Sequence, residues 1–238
     1  MSGTDESGTE RKTSVIALVV GNRGDSDTGF IGARLTQLGF RFLRNEREYP
    51  RSWASLAGVD LLLLLGSDWS VYWDSNQREM AAESDLVRVA NLRGIPIFAI
   101  CYGAQLLAHT FGGRVWKLNE PEIGWKGVLS ATHQDYFQRV WWQWHSDAFS
   151  VPDGFCAVAS NEIGAQAMTG PRMLATQFHP EADISIISRW SSGAGMLELR
   201  ELGMDVPDVI EHSRSFCAET SSAASTLVDW FLEYSSKT

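Results

Sequence analysis

Three short, predominantly apolar runs organise the first hundred residues: Ser14 to Gly21, Val59 to Leu65 and Ile95 to Ile100. Each is continuous instead of alternating, and each is bounded by turn residues. That is the pattern of a strand buried on both faces, as in a parallel sheet. Helical patterns lie between them, near Phe30 to Leu38 and from about Gln77 to Leu92, with a further strand at Phe40 to Arg44. Strand and helix alternating at this spacing predict an α/β fold: a doubly wound, mostly parallel central sheet with flanking helices. Sites in such sheets form at the carboxyl ends of the strands, where Gly21, Gly66 and Cys101 fall. From Arg114 to Met173 the chain is rich in Trp, Val and turn residues, which predicts a smaller antiparallel section of shorter strands. Residues 172 to 178 alternate loosely and read as one more strand. A helix is expected after Glu181, then a segment without clear period from Ser191 to Cys217, and a last helix near Ser222 to Tyr234. The domain reading is a disordered tail over residues 1–12 and a single domain over 13–238, with a C-terminal helical extension from about 191.

The third apolar run ends on a cysteine, and small residues and a helical pattern follow: Cys101-Tyr-Gly-Ala-Gln105-Leu-Leu-Ala-His. This places Cys101 on a sharp strand-to-helix elbow above the positive end of a helix dipole, which favours thiolate, the reactive form. A thiol nucleophile works with a base that takes and returns its proton, and the base with a carboxylate that orients it. Leu174-Ala-Thr-Gln-Phe-His179-Pro-Glu181 offers both. His179 falls at a strand end, Pro180 stops the strand, and Glu181 lies within reach of the imidazole. Cys101, His179 and Glu181 are therefore the catalytic candidates.

The elbow, the His-Pro-Glu triplet and the intervening Trp144-His145-Ser146-Asp147 resemble class I, triad-type glutamine amidotransferase domains. Among these, the chain is most similar to the glutaminase domain of GMP synthetase and its free-standing relatives. The likeness spans roughly residues 14 to 190 and rests on three motifs in order. It implies attack of Cys101 on the glutamine γ-amide and a thioester intermediate. The oxyanion would be bound by the amides of Tyr102 and Gly66. The Gln105 side chain and the backbone around Ser146 and Asp147 would hold the amino-acid end of glutamine. One departure stands out: most relatives read Gly-Gly-Pro where this chain reads Gly66-Ser67-Asp68. The implied chemistry uses no cofactor, and no His/Cys/Asp cluster has the spacing of a metal site.

Composition narrows the setting. A net charge of −9 without a basic cluster argues against nucleic acid as a partner. No stretch approaches the roughly twenty apolar residues of a membrane span, and Met1 to Lys12 lacks an apolar signal core. Three scattered cysteines form no disulfide framework, which points to the cytoplasm and a reduced Cys101. Cys156 and Cys217 read as packing residues. At 238 residues, without a P-loop, the chain is too short to add an ATP-dependent synthetase to a glutaminase. Its expected partners are glutamine and a separate ammonia-accepting synthetase. One alternative is a free-standing hydrolase or transferase of γ-glutamyl amides or peptides. Another is a non-catalytic binding or regulatory subunit of the same fold.

Two residue sets stay open between packing and function. Trp69, Trp73, Trp125, Trp141, Trp142 and Trp144 are either core or an aromatic wall beside the site. Glu122, His145 and Asp147 are either turn residues or binding groups.

Overall fold

The computed structural model describes residues 14–131 and 136–238; the expected tail over residues 1–12 lies outside them. The described residues form a nine-stranded sheet of order β2-β1-β3-β4-β9-β8-β7-β5-β6. Its strands are β1 (Val15–Gly21), β2 (Phe40–Glu46), β3 (Leu61–Leu64), β4 (Ile97–Ile100), β5 (Val115–Ser130), β6 (Arg139–Phe149), β7 (Cys156–Ser160), β8 (Ala165–Gly170) and β9 (Met173–Thr176). The half from β2 to β9 is parallel. From β9 to β6 every pairing is antiparallel.

Helices α1 (Gly29–Gln37), α2 (Gln77–Leu92), α3 (Tyr102–Thr110), α4 (Ile184–Trp190), α5 (Gly193–Glu201) and α6 (Val206–Lys237) cover the sheet. The continuous apolar runs are explained by their two faces. Odd positions (Ala17, Val19, Leu61, Leu63) pack on Ile31 and Leu35 of α1 and on Leu227, Val228 and Phe231 of α6. Even positions (Leu18, Val20, Leu62, Leu64) pack on Val87 and Ala90 of α2 and on Leu106 and Leu107 of α3. Each fully buried Leu or Val contributes about 1.5–3 kcal/mol, so a polar residue at any of these positions would break the layer. Helix α3 lies directly on β3 because a Cβ on Gly103 would stand 2.6 Å from the Leu64 carbonyl oxygen.

Several element bounds differ from the sequence reading. β4 begins at Ile97, not Ile95: Ile95 N–H still bonds back to Ala90, and Pro96 has no N–H to give. β9 ends at Thr176, and Gln177 to His179 continue as irregular backbone held by Gln166 and Trp142 carbonyls. The antiparallel section is not made of short strands throughout. β5 runs 16 residues and β6 runs 11, with a register shift between Lys117 and Glu122 beside Pro121. The last helix is 32 residues and begins at Val206, with Pro207 in its first turn. No helix among the described residues is long and apolar enough to cross a membrane.

Candidate active site

The parallel strands end on one side of the sheet, and there the predicted residues meet. Cys101 follows β4 directly with φ 52° and ψ −109°, a left-handed conformation that costs a non-glycine residue on the order of 1–3 kcal/mol. Two backbone bonds hold it: its N–H donates 2.7 Å to the Thr176 carbonyl, and its carbonyl accepts from Gln105 N–H at 3.0 Å. The turn lifts the side chain off the sheet and starts α3 at Tyr102, whose N–H, first in the helix, has no intrahelical acceptor.

In the irregular segment after the neighbouring strand β9, His179 donates its backbone N–H to Trp142 of β6 at 2.9 Å, and its Nδ1 meets Glu181 Oε1 at 2.8 Å. Both side chains are buried. Burial pushes the imidazole down, but the Coulombic pull of Glu181 and Cys101 and hydrogen bonds to both hold it well above its ordinary value of 6.5. With Nδ1 on Glu181, Nε2 faces Cys101; it lies 3.4 Å from the Trp144 carbonyl oxygen, which also accepts from the Cys101 thiol at 3.7 Å. Gly66 sits against the pair: a Cβ there would stand 3.1 Å from His179 Cε1 and 3.5 Å from Cys101 Cβ. A side chain at 66 would press directly on the imidazole.

Around them opens a cleft of about 560 Å³ that includes Gly66, Cys101, Gln105, Ser146, Asp147, His179 and Glu181. Tyr102 contributes no side chain to it, being buried under the helix. The Gln105 amide donates to Gln177 Oε1 at 3.3 Å, and Gln177 Nε2 in turn donates to Cys101 Sγ at 3.6 Å. The Asp147 carboxylate is already engaged: Ser70 Oγ donates at 2.5 Å and Tyr72 OH at 2.6 Å. It latches the loop after β3 onto β6.

His145 and Glu122 lie in ladders of β6 and β5, not in turns, and Glu122 is no part of the cleft wall. His145 Nε2 meets Glu122 Oε2 at 2.9 Å, and its Nδ1 meets the Asp147 carbonyl oxygen at 2.9 Å. Asn161 and Gln166 also donate to Glu122.

The tryptophans divide. Trp69, Trp73 and Trp144 line the cleft, whereas Trp141 and Trp142 are core and Trp125 stacks on Phe216. Trp190, a wall residue that patterning did not single out, packs edge-on against His179 with centres 4.7 Å apart. The indole N–H groups of Trp144 and Trp190 are fixed on Glu198 and Asp25. Cys156 is exposed, not packed, because its end of β7 faces outward; Cys217 is half-buried. Among the described residues no group of three or more His, Cys, Asp or Glu side chains could hold a metal ion.

The chain is 34% identical over 166 residues to "GMP synthase [glutamine-hydrolyzing]" of Bdellovibrio bacteriovorus, covering 66% of this chain and 31% of that one. It is 30% identical over 183 residues to the protein of the same name from Bacteroides fragilis, covering 69% and 32%. The chain thus spans about a third of the length of these curated relatives. A glutamine amidotransferase structure from Thermotoga maritima shares the fold with a TM-score of 0.83 at 23% identity, covering 92% of this chain and 98% of that one. Another from Methylobacillus flagellatus gives 0.72 at 20%, covering 92% and 94%. The family model described as glutamine amidotransferase class-I matches residues 32–187, and the chain belongs to that family.

Proposed function

We propose that this protein hydrolyses the γ-amide of glutamine through a thioester on Cys101 and releases ammonia for a separate acceptor enzyme. The observation that carries the reading is a strained thiol elbow facing an imidazole whose far nitrogen is fixed on a buried carboxylate, inside one cleft.

In this scheme Cys101 Sγ bonds to the amide carbon, and the oxygen takes the negative charge beside the Tyr102 and Gly66 amides. His179 gives its proton to the nitrogen, the C–N bond breaks and ammonia leaves. Water then attacks the thioester, passing a proton to His179, and the C–S bond breaks to give glutamate and the thiolate. Glu181 holds the imidazole in one tautomer and stabilises its charged form. Gln177 donates toward the sulfur, which favours its anionic form. Gln105 and the Ser146–Asp147 backbone would hold the amino-acid end of the substrate. A reducing compartment such as the cytoplasm suits a free, reactive thiol.

Cys101→Ala should abolish glutamate release, and a chloroketone analogue of glutamine should attach covalently to wild-type Cys101 alone. Turnover retained by Cys101→Ala overturns the assignment. Relatives named for GMP synthesis suggest a synthetase as acceptor; added synthetase should then raise glutaminase turnover.

A second reading has its own observation. The cleft falls in the size range of sites for drug-sized ligands, about 300–1,000 Å³, and Trp69, Trp73, Trp144 and Trp190 wall it. That space suits a γ-glutamyl amide with a bulky group on nitrogen. Fast, partner-independent turnover of such amides, with glutamine a poor substrate, would favour it.

A further inference from the structure

Arg47, the residue after β2, is a cation with no exposed surface. Burying such a charge is costly unless every donor finds a partner, and here all five do. Nε and Nη2 donate to the two oxygens of Glu83 on α2 at 2.8 and 3.0 Å. Nη1 donates to Asn22 Oδ1 at 2.7 Å and to the Gly66 carbonyl at 3.0 Å. The remaining Nη2 hydrogen goes to the Leu65 carbonyl at 2.9 Å. The guanidinium carbon also lies 4.6 Å from the centre of the Tyr102 ring.

Glu83 alone balances the charge and takes two of the five donors, and stability requires only that the other three find some acceptor. Two of the five bonds go to successive carbonyls of the loop after β3. In a planar trans peptide the N–H points opposite to the C=O. Fixing the Leu65 and Gly66 oxygens on one buried group therefore turns the Gly66 and Ser67 N–H groups to the opposite side. Among the described residues neither N–H has an acceptor in the fold, and both residues line the cleft. Two consecutive amides facing one way form a concavity that suits an anion. Only the backbone of residue 67 takes part, so serine serves there.

We propose that Arg47 is a positioning residue for the oxyanion site. It presents the Gly66 and Ser67 amides to the charged oxygen and, through the Tyr102 ring, couples this loop to the helix that carries the opposing amide. Glu83 is its anchor. The inference rests on the hydrolase reading of the same cleft.

The test is the double variant Arg47→Met, Glu83→Leu, which removes both buried charges and keeps apolar volume; such replacements are often neutral or stabilising. Alkylation of Cys101 by iodoacetamide is a displacement at saturated carbon and develops no oxyanion. It should stay near the wild-type rate in a folded double variant. Glutamate release should lose about 10²–10³-fold in kcat with little change in KM, the loss typical of an oxyanion donor. A folded double variant with wild-type kcat overturns the proposal, as does an equal fall in alkylation and turnover. If the double variant does not fold, Arg47→Lys decides. Lysine keeps a cation beside Glu83, but its three donors cannot replace all five bonds. It should lower kcat with KM retained, and wild-type kcat in Arg47→Lys refutes the role. The underlying reading fails separately: wild-type protein would then release no glutamate and resist the chloroketone.

Discussion

Among the described residues are two buried histidine–glutamate pairs of nearly equal geometry, 2.8 Å for His179 and Glu181 and 2.9 Å for His145 and Glu122. They differ in how the second ring nitrogen is used. In His145 both nitrogens face acceptors, the Glu122 carboxylate and the Asp147 carbonyl, and a neutral ring could donate to only one. Asn161 and Gln166 complete the shell around Glu122. That network is closed and fixes the backbone of β6. In His179 one nitrogen is fixed on Glu181, and the other, 3.4 Å from the Trp144 carbonyl, also faces a thiol in a cleft. Burial and a carboxylate are common to both histidines; in the proposed reaction it is the second ring nitrogen of His179, facing the thiol, that sets it apart.

Replacing each histidine in turn is the most direct way to break this contrast. His179→Ala should lower turnover by about 10³-fold or more, near the upper end for loss of a general acid–base, while the protein stays folded. Steady-state glutamate release checks the first and a thermal melt the second. His145→Ala should do the reverse. It removes one of the three side-chain hydrogen bonds on the buried Glu122, which costs about 1–3 kcal/mol, while the folded fraction keeps kcat within about tenfold. Equal catalytic losses in the two variants would erase the distinction.

A smaller effect sharpens it. Glu181→Gln keeps a hydrogen bond to His179 Nδ1 and removes the charge. The sign follows from the balance at His179: burial lowers its pKa, and Glu181 leads the interactions that raise it. Because the folded-state pKa is raised, the pair's contribution to stability is fully present below the unfolded value near 6.5 and is lost as pH rises through the higher folded one. In Glu181→Gln the imidazole should lose its proton at lower pH. The alkaline fall in turnover should move toward acid, and kcat should drop by about 10–100-fold, at the low end for acid–base terms. A pH–rate profile decides; an unmoved alkaline limb would detach Glu181 from the imidazole's charge.

What sequence could reveal follows the range of each contact. The elbow was legible because strand, thiol, small residues and helix lie within about ten consecutive positions, and His179 and Glu181 are two residues apart. Cys101 and Gln177 are 76 residues apart, Ser70 and Asp147 are 77, and Arg47 and Glu83 are 36. Nothing local marks those polar residues as partners, so the latch on Asp147 and the anchor under Gly66 appear only once the sheet is assembled. Pro121 and Gly124 look like turn residues and so predict short pieces, yet in β5 Pro121 falls in one register shift and Gly124 pairs regularly with Gln143. In the sequence the long α6 is obscured by its Ser and Thr residues. Ser213, Ser225 and Thr226 return hydrogen bonds to carbonyls one turn back and so sit inside a helix that their type disfavours.

The latch gives the smallest effect and the finest test of how the two sides of the cleft cooperate. Tyr72 is partly exposed, and its hydroxyl and that of Ser70 share one carboxylate across the cleft. Burial pushes the Tyr72 phenol up, and the hydrogen bond to Asp147 adds to this, so the hydroxyl remains a donor through neutral pH. Tyr72→Phe removes one donor and leaves Ser70, a loss of about 0.5–1.5 kcal/mol. The backbone of Asp147 belongs to the proposed amino-acid subsite, while Cys101 and His179 stand beyond the ends of β4 and β9. The loss should therefore raise KM for glutamine by about 2–10-fold, the same energy expressed as binding, and leave kcat nearly unchanged. If kcat falls and KM holds, the latch serves the oxyanion loop instead of the subsite, and the loop's two anchors, Arg47 below and Asp147 across, act on one step.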